Sequence, residues 1–324
     1  MKRTWSIILV VALCMSLMSA CSKSTSVSNK EDVKIFLTLS QGDTFRNSLV
    51  EAAKKTAESE GVVLDSADAE GSVEKQVDQI KSAVKEGYDV ILCNPVNIDM
   101  ALELEADAGD LPIVFFNSCP DESRLEAAKY MYVGSNEQYA GQYQAEYILD
   151  KCADKNEINV VIMKGQQDHP ATIGRTDALM DTLLASGKTI NFVFVDYANW
   201  DQATAQELFG VFLTTGKDFD CVACNNDSMA LGVIDACKEN KVDMSSKLIL
   251  GVDATADGCA AIESGDMAFT AYQSASGQGE YSVKAAIALV TSGSITDLKY
   301  SSEDGKYIWV PFEKVDKDNV KNYE

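Results

Sequence analysis

The sequence predicts an α/β protein made of two doubly wound parallel-sheet lobes. Three observations lead there. Eight short apolar runs of strand length recur along the chain, and the segments between them place apolar residues at helical spacing. The strand-helix series also runs from about Val33 to Val133 and then starts afresh near Asn159, which divides the chain into two similar halves.

The first series opens with the run 34–39 before Asp43, followed by a helix over 43–60 that aligns Phe45, Leu49, Ala53 and Ala57. Next come the run 62–64 before Asp65 and a helix over 73–86 that aligns Val73, Val77, Ile80 and Val84. The runs 90–93 before Asn94 and 113–116 before Asn117 complete it. The second series has 159–163 before His169, 192–195 before Trp200, 221–223 before Asn226 and 248–252 before Asp253. Uninterrupted apolar runs belong to strands covered by helices on both faces. Each run stops at, or a few residues short of, a side chain able to hydrogen-bond a hydroxyl or stack on a ring. In open α/β sheets ligands sit beyond the carboxyl ends of the strands, so a small-molecule site is expected there.

The tail is less regular. It reads as a strand at 268–272, the stretch Ser274-Ala275-Ser276-Gly277-Gln278-Gly279, a helix over about 281–292 and a strand at 307–310. Gly277 and Gly279 give only a fragment of a dinucleotide fingerprint. Asp316-Lys317-Asp318-Asn319 lacks the glycine and distal glutamate of a calcium loop and reads as a solvated turn.

At the start, Lys2 and Arg3 precede an apolar stretch over 7–17 and then Ser19-Ala20-Cys21, the layout of a signal peptide too short to span a bilayer. The end of that stretch resembles a lipoprotein cleavage site, with Met18 where the motif usually has leucine. The expectation is a signal peptide over 1–20, lipid on Cys21 and a linker over 21–32, so that the only membrane contact is the anchor. Removing Lys2 and Arg3 takes the formal charge from −22 to −24. So acidic a chain repels phosphate backbones, which argues against nucleic acid. Of nine cysteines, seven remain beyond Cys14 and Cys21, and they read as buried free thiols. Cys221 and Cys224 form a CxxC inside a strand, where residues three apart face opposite sides.

The most specific strings lie in the second half: Lys164-Gly165-Gln166-Gln167-Asp168-His169-Pro170, Arg175-Thr176, Tyr197-Ala198-Asn199-Trp200-Asp201, Asn225-Asn226-Asp227-Ser228-Met229-Ala230 and Gly251-Val252-Asp253-Ala254. With Val114-Phe115-Phe116-Asn117 and Val310-Pro311-Phe312 they resemble the type I sugar-binding family of ABC-importer solute-binding proteins, in particular its galactose/glucose-binding branch. The resemblance covers about 33–320, in order.

It implies two lobes joined by three crossing segments near Gly134, Ser274 and Val310. The N-terminal lobe would be 33–134 plus 274–309 and the C-terminal lobe 135–273 plus 310–324. It implies a ligand site of Asp43, Phe45, Asn117, His169, Arg175, Trp200, Asn226 and Asp253, with Gln273 at the second crossing. Phe45 and Trp200 would sandwich the apolar faces of a pyranose while the polar groups meet its hydroxyls. Each residue also has a plainer reading. Phe45 could be core, Trp200 a packing lid and His169 a loop residue, and Asp43, Asn226 and Asp227 could cap helices, the reading preferred for Asp227. Arg175 reads as a clamp for two adjacent hydroxyls.

Two departures bear on specificity. Ala171 stands where the galactose/glucose branch has an aspartate that helps bind the anomeric end of the sugar, and Gln273 stands where it has asparagine. The segment 151–156 is short of oxygen ligands and contains Lys155, so no calcium is expected. The function implied is capture of an aldohexose such as glucose or galactose by hinge closure, for delivery to ABC permease and ATPase subunits. A chemoreceptor or sensor kinase is the alternative partner, and the protein is expected to act as a monomer. No nucleophile motif, metal set or cofactor fingerprint supports an enzyme.

Overall fold

The computed structural model describes residues 29–323, so the signal peptide and the lipidation site at Cys21 lie outside the described residues. Twelve strands among the described residues form two six-stranded sheets. The first contains β1 (Lys34–Leu39), β2 (Val63–Asp68), β3 (Val90–Cys93), β4 (Ile113–Phe116), β5 (Tyr130–Gly134) and β11 (Tyr307–Trp309). Its order is β11-β5-β4-β3-β1-β2 and every pairing is parallel. The second contains β6 (Glu157–Lys164), β7 (Thr189–Tyr197), β8 (Cys221–Cys224), β9 (Leu248–Asp253), β10 (Phe269–Gln273) and β12 (Phe312–Asp316). Its order is β12-β10-β9-β8-β6-β7, with β12 alone antiparallel to its neighbour. The α/β class with two parallel-sheet lobes is thus as the sequence predicts.

Nine α-helices among the described residues connect the strands: α1 (Thr44–Glu60), α2 (Val73–Glu86), α3 (Ala101–Ala108), α4 (Glu137–Lys151), α5 (Pro170–Leu184), α6 (Gln202–Thr214), α7 (Asp227–Glu239), α8 (Ala256–Ser264) and α9 (Ala275–Thr291). They cover both faces of each sheet, which is why every residue of β3, β4, β5 and β8 is buried. Alternate residues feed opposite cores: Leu92, Val114 and Phe116 join one cluster with Ile35, and Ile91, Ile113 and Phe115 join another with Ile80. Burying one such side chain contributes roughly 1.5–3 kcal/mol. The same alternation sends Cys221 and Cys224 to opposite faces of the second sheet, so the CxxC cannot close. Among the described residues Cys93, Cys119, Cys152, Cys221, Cys224 and Cys237 are free thiols.

The chain passes from one sheet to the other three times, after Gly134, after Gln273 and between Trp309 and Phe312. The Val310 N–H donates to the Gly134 carbonyl (2.8 Å) and Gln278 Nε2 donates to Ser135 Oγ (3.2 Å), so the three strands of chain are tied to one another.

Several local expectations are corrected. β2 extends to Asp68, which leaves Asp65 inside the strand, accepting from the Tyr88 hydroxyl (2.7 Å). Asn94 is fully buried: its Oδ1 accepts from Ser40 Oγ (2.5 Å) and its Nδ2 donates to the Phe116 carbonyl (3.2 Å), clamping the ends of neighbouring strands. Neither side chain faces a ligand site. α9 starts at Ala275, six residues before the expected 281, because Ser274 Oγ caps it through the Gly277 N–H (2.9 Å). Gly279 is then where α9 crosses α1, and a Cβ there would lie 2.6 Å from the Leu49 carbonyl oxygen. β12 was not anticipated, since only Phe312 and Val315 of its five residues are apolar and buried. The 316–319 segment is a turn that satisfies itself, with the Asp318 N–H on Asp316 Oδ1 (2.9 Å) and the Asp316 N–H on Asn319 Oδ1 (2.9 Å).

Gly141 lets α4 and α5 cross in close contact. A Cβ on it would sit 2.0 Å from the Arg175 carbonyl oxygen, backbone that cannot swing aside. Gly141→Ala is expected to cost about 1–3 kcal/mol in a urea titration. Gly210→Ala, in α6 with open space around the added methyl, is expected to be stabilising by up to about 1 kcal/mol.

Candidate functional site

The helices of a parallel sheet all begin at the carboxyl ends of its strands, so four helix N-termini converge on the space between the lobes. Their caps are Asp43 for α1, His169 for α5, Asn226 for α7 and Thr255 for α8. A cavity of about 120 Å³ lies there. All nine predicted ligand residues stand on its wall: Asp43, Phe45 and Asn117 from the first lobe, His169, Arg175, Trp200, Asn226 and Asp253 from the second, and Gln273 at the second passage. Thr44, Arg46, Glu137, Ser228 and Thr255 join them and were not anticipated.

Arg175 organises the second lobe's half. It is 4% exposed, and its Nε donates to Glu137 Oε2 (2.7 Å), its Nη1 to the Asn225 carbonyl (2.5 Å) and its Nη2 to Gln273 Oε1 (3.3 Å). Asp253 Oδ1 lies 3.8 Å from Nη1. Gln273 Nε2 donates in turn to Glu137 Oε1 (3.2 Å), closing a ring of three side chains. Burial alone would weaken the guanidinium's hold on its proton, but Glu137 and Asp253 keep its pKa above the ordinary value. The pKa of Asp253 is raised as well: burial lifts its carboxyl well above the usual range, Arg175 opposes the rise, and Asp227, Asp43 and Glu137 add to it.

Asp227 is not a cap. The cap of α7 is Asn226, whose Oδ1 accepts from the Met229 N–H (3.0 Å). One residue on, the Asp227 carboxylate is fully buried and accepts from Thr270 Oγ1 (2.7 Å) and the Thr255 N–H (2.8 Å). It thereby pins the loop after β9, where Asp253 (φ 116°) and Ala254 (φ 53°) take positive φ. Asn117, Asp168, Asn199 and Trp200 are also non-glycine residues at positive φ around the same cleft. Strain of this kind concentrates where side chains are held for a ligand.

Asp43 and Asn226 are caps and cavity residues at once. Asp43 Oδ1 takes the Arg46 N–H (2.7 Å) while Oδ2 pairs with Arg46 Nη1 (2.8 Å). Trp200 is likewise both core and wall: it packs on the second lobe's core, meets the His169 ring edge-on at 5.3 Å and has the Arg175 guanidinium 5.7 Å from its ring centre. Gly165 makes room for it, since a Cβ there would come within 2.2 Å of the indole. Phe45 is half-buried against the first lobe's core and lines the cavity from that side. His169 accepts the Ala171 N–H through Nδ1 (3.2 Å), which places its proton on Nε2, 3.5 Å across the cleft from Ser118 Oγ. Burial, with Arg46 and Arg175 nearby, lowers its pKa to about 4. Among the described residues no cluster of His, Cys, Asp or Glu could hold a metal ion. Chemically, the cavity offers fixed donors, fixed acceptors and two aromatic rings.

A family model for the periplasmic binding protein domain matches residues 35–294. The chain belongs to the periplasmic binding protein family. It is therefore a solute-binding protein and not an enzyme, of the type that serves sugar-importing ABC transporters outside the cytoplasm. The chain is 35% identical to a protein of Rhizobium meliloti described as rhizopine-binding, over 87% of this chain and 88% of the relative. It is 28% identical to the D-galactose/methyl-galactoside binding periplasmic protein of Haemophilus influenzae, over 100% and 99%. A solved ABC transporter solute-binding protein from Bacillus halodurans C-125 with bound myo-inositol superimposes with a TM-score of 0.79 at 28% identity, covering 91% of this chain and 98% of that one.

Arg175→Leu is expected to cost about 3–5 kcal/mol, because Glu137 and Asp253 are left buried without their cation. The Asp253 carboxyl, raised by burial and in the variant no longer opposed by Arg175, destabilises once pH exceeds its unfolded value, so the variant should regain stability relative to the parent as the pH is lowered in urea titrations. His169 is the only histidine, so its proton resonance needs no assignment. It should titrate near pH 4 in the ligand-free protein. Since its folded pKa is depressed, its contribution to stability is full above about pH 6.5 and is lost as the pH falls towards 4.

Proposed function

We propose that the chain captures a six-membered polyol ring outside the cytoplasm, held to the membrane through lipid on Cys21, and delivers it to an ABC permease by closure of the lobes. The observation that carries this is the common wall: Asp43, Phe45 and Asn117 from one lobe face the same small cavity as Arg175, Trp200, Asn226 and Asp253 from the other. A solute touching both halves favours the closed arrangement by its differential contacts. Phe45 and Trp200 suit the ring faces, and Asp43, Asn117, Asn226 and Asp253 suit a rim of hydroxyls.

An aldohexose such as glucose or galactose is the first reading, supported by the galactoside-binding relative. A cyclitol is the second, and one residue favours it. Ala171 is buried and lines the cavity with a methyl group at the place where the galactose/glucose branch puts a carboxylate toward the anomeric hydroxyl. A cyclitol has no anomeric centre and loses nothing there, in keeping with the myo-inositol held by the Bacillus protein.

Calorimetric titration of the chain from residue 28 onward, stripped of ligand, tests both readings against glucose, galactose, xylose, ribose and myo-inositol. One-to-one binding at micromolar Kd or tighter, about 8 kcal/mol or more, is expected for a six-membered ring. Asp253→Ala should weaken it at least tenfold by removing a buried hydroxyl partner. No affinity for any hexose, pentose or inositol would remove the proposal.

A further inference from the structure

The small cavity has a larger neighbour. A second cavity, of about 710 Å³, lies beside it, and the two share Asp43, Arg46, His169 and Trp200 as a common wall. Its remaining walls come from both lobes, with Gln41 and Asn97 on one side and Gln167 and Asn199 on the other. These amides are the same kinds of donor and acceptor that line the inner cavity. The lobes approach each other on the outer cavity's wall, where Ser118 Oγ lies 3.5 Å from His169 Nε2.

The shared wall carries a second, independent sign. Arg46 Nε and Trp200 Nε1 are both buried donors without a hydrogen-bond partner. Buried donors are rarely left so, because an unpaired one has lost its water without gaining a partner. The two residues that carry them, Arg46 and Trp200, line both the inner and the outer cavity, which is where an oxygen joining a ring to a substituent would lie. Charge narrows what the substituent is. Asp99, Asp168 and Asp201 face the outer cavity, with Arg46 as the one arginine or lysine on its wall, so an anionic group is disfavoured there.

We infer that the ligand extends beyond one ring: a neutral glycoside of disaccharide size, with one ring in the inner cavity, its linking and neighbouring oxygens accepting from Arg46 and Trp200, and the second ring in the outer cavity. The inference rests on the ring-polyol reading of the inner cavity. It adds that the outer space is a subsite for the second ring and that Arg46, unforeseen from sequence, sets specificity at the junction.

The test is calorimetric titration of the same chain against glucose, galactose and myo-inositol, their methyl glycosides or ethers, and neutral disaccharides including cellobiose, lactose, melibiose and maltose. At least one disaccharide is expected to bind tenfold or more tightly than its parent monosaccharides. Gln167→Trp and Gln41→Trp, exposed positions outside the inner cavity and one on each lobe, would fill the outer space. Each should weaken the disaccharide at least tenfold while leaving the monosaccharide and the melting temperature unchanged. If single rings bind and no disaccharide exceeds its parent ring, or if the tryptophan variants weaken both equally, the outer subsite is refuted and the inner site stands. If no ring polyol binds at all, the proposed function falls and this inference with it.

Discussion

The buried guanidinium of Arg175 is the interaction on which the cleft depends. Its donors reach the Asn225 carbonyl just beyond β8, Gln273 at the end of β10 and Glu137 at the start of α4, and Asp253 closes on it from the end of β9. Three strand ends and two helices are thereby held at fixed positions by one side chain. The arrangement needs α4 and α5 to touch along their backbones, which is what Gly141 permits. A planar, permanently charged fork suits this role where a lysine would not, since a single ammonium cannot satisfy partners spread around a plane. The second lobe thus presents a locked surface, whereas Asp43 and Thr44 of the first lobe stand exposed at the start of a helix.

The two lobes solve a shared problem with different chemistry. At the carboxyl end of a parallel sheet the last carbonyls lack strand partners, and buried carbonyls must be satisfied. In the first lobe Gln76 from α2 donates to the Asn94 carbonyl (2.9 Å); in the second Gln144 from α4 donates to the Cys224 and Gly251 carbonyls (2.9 and 3.0 Å). Strand-end asparagines also match: Asn94 Oδ1 accepts from Ser40, and Asn225 Oδ1 accepts from the Gly165 N–H (3.0 Å) and Thr176 Oγ1 (3.2 Å). The difference is the partner of the asparagine carbonyl, an amide in one lobe and a guanidinium in the other. In the second lobe the strand-end partner is thus itself a charged residue of the cavity wall.

Sequence made the strands and the larger part of the cavity wall readable, because a buried parallel strand has an unbroken apolar run and the next polar residues fall at its carboxyl end. It was silent on Glu137 and Arg46. Both lie in the first turn of helices, where a charge is ordinary, and only the packing of α4 on α5 brings Glu137 to Arg175, as only the meeting of the lobes puts Arg46 on the shared wall. The one available signal for Glu137 was its place just after the first passage between sheets, where any helix start must border the cleft. Asn226 and Asp227 show a different limit. Either could cap α7 by composition, and the choice was made by Thr270 and Thr255, residues distant in sequence that claim the Asp227 carboxylate. The glycines of 274–279 looked like a loop because their purpose is contact: Gly277 lies against Val310 and Gly279 against Leu49.

The charges around the inner cavity bear on the kind of solute it suits. Arg46 and Arg175 face Asp43, Glu137 and Asp253, an excess of one carboxylate if all are ionised. Burial drives the Asp253 carboxyl toward its protonated form, against the pull of Arg175. A neutral solute brings no charge of its own to be stranded among these groups. His169, neutral by burial, adds no charge to the set. The strongly acidic surface, at −22 for the whole chain, exerts no steering on a neutral polyol, so the discrimination rests on the geometry of the cavity wall rather than on the field around it.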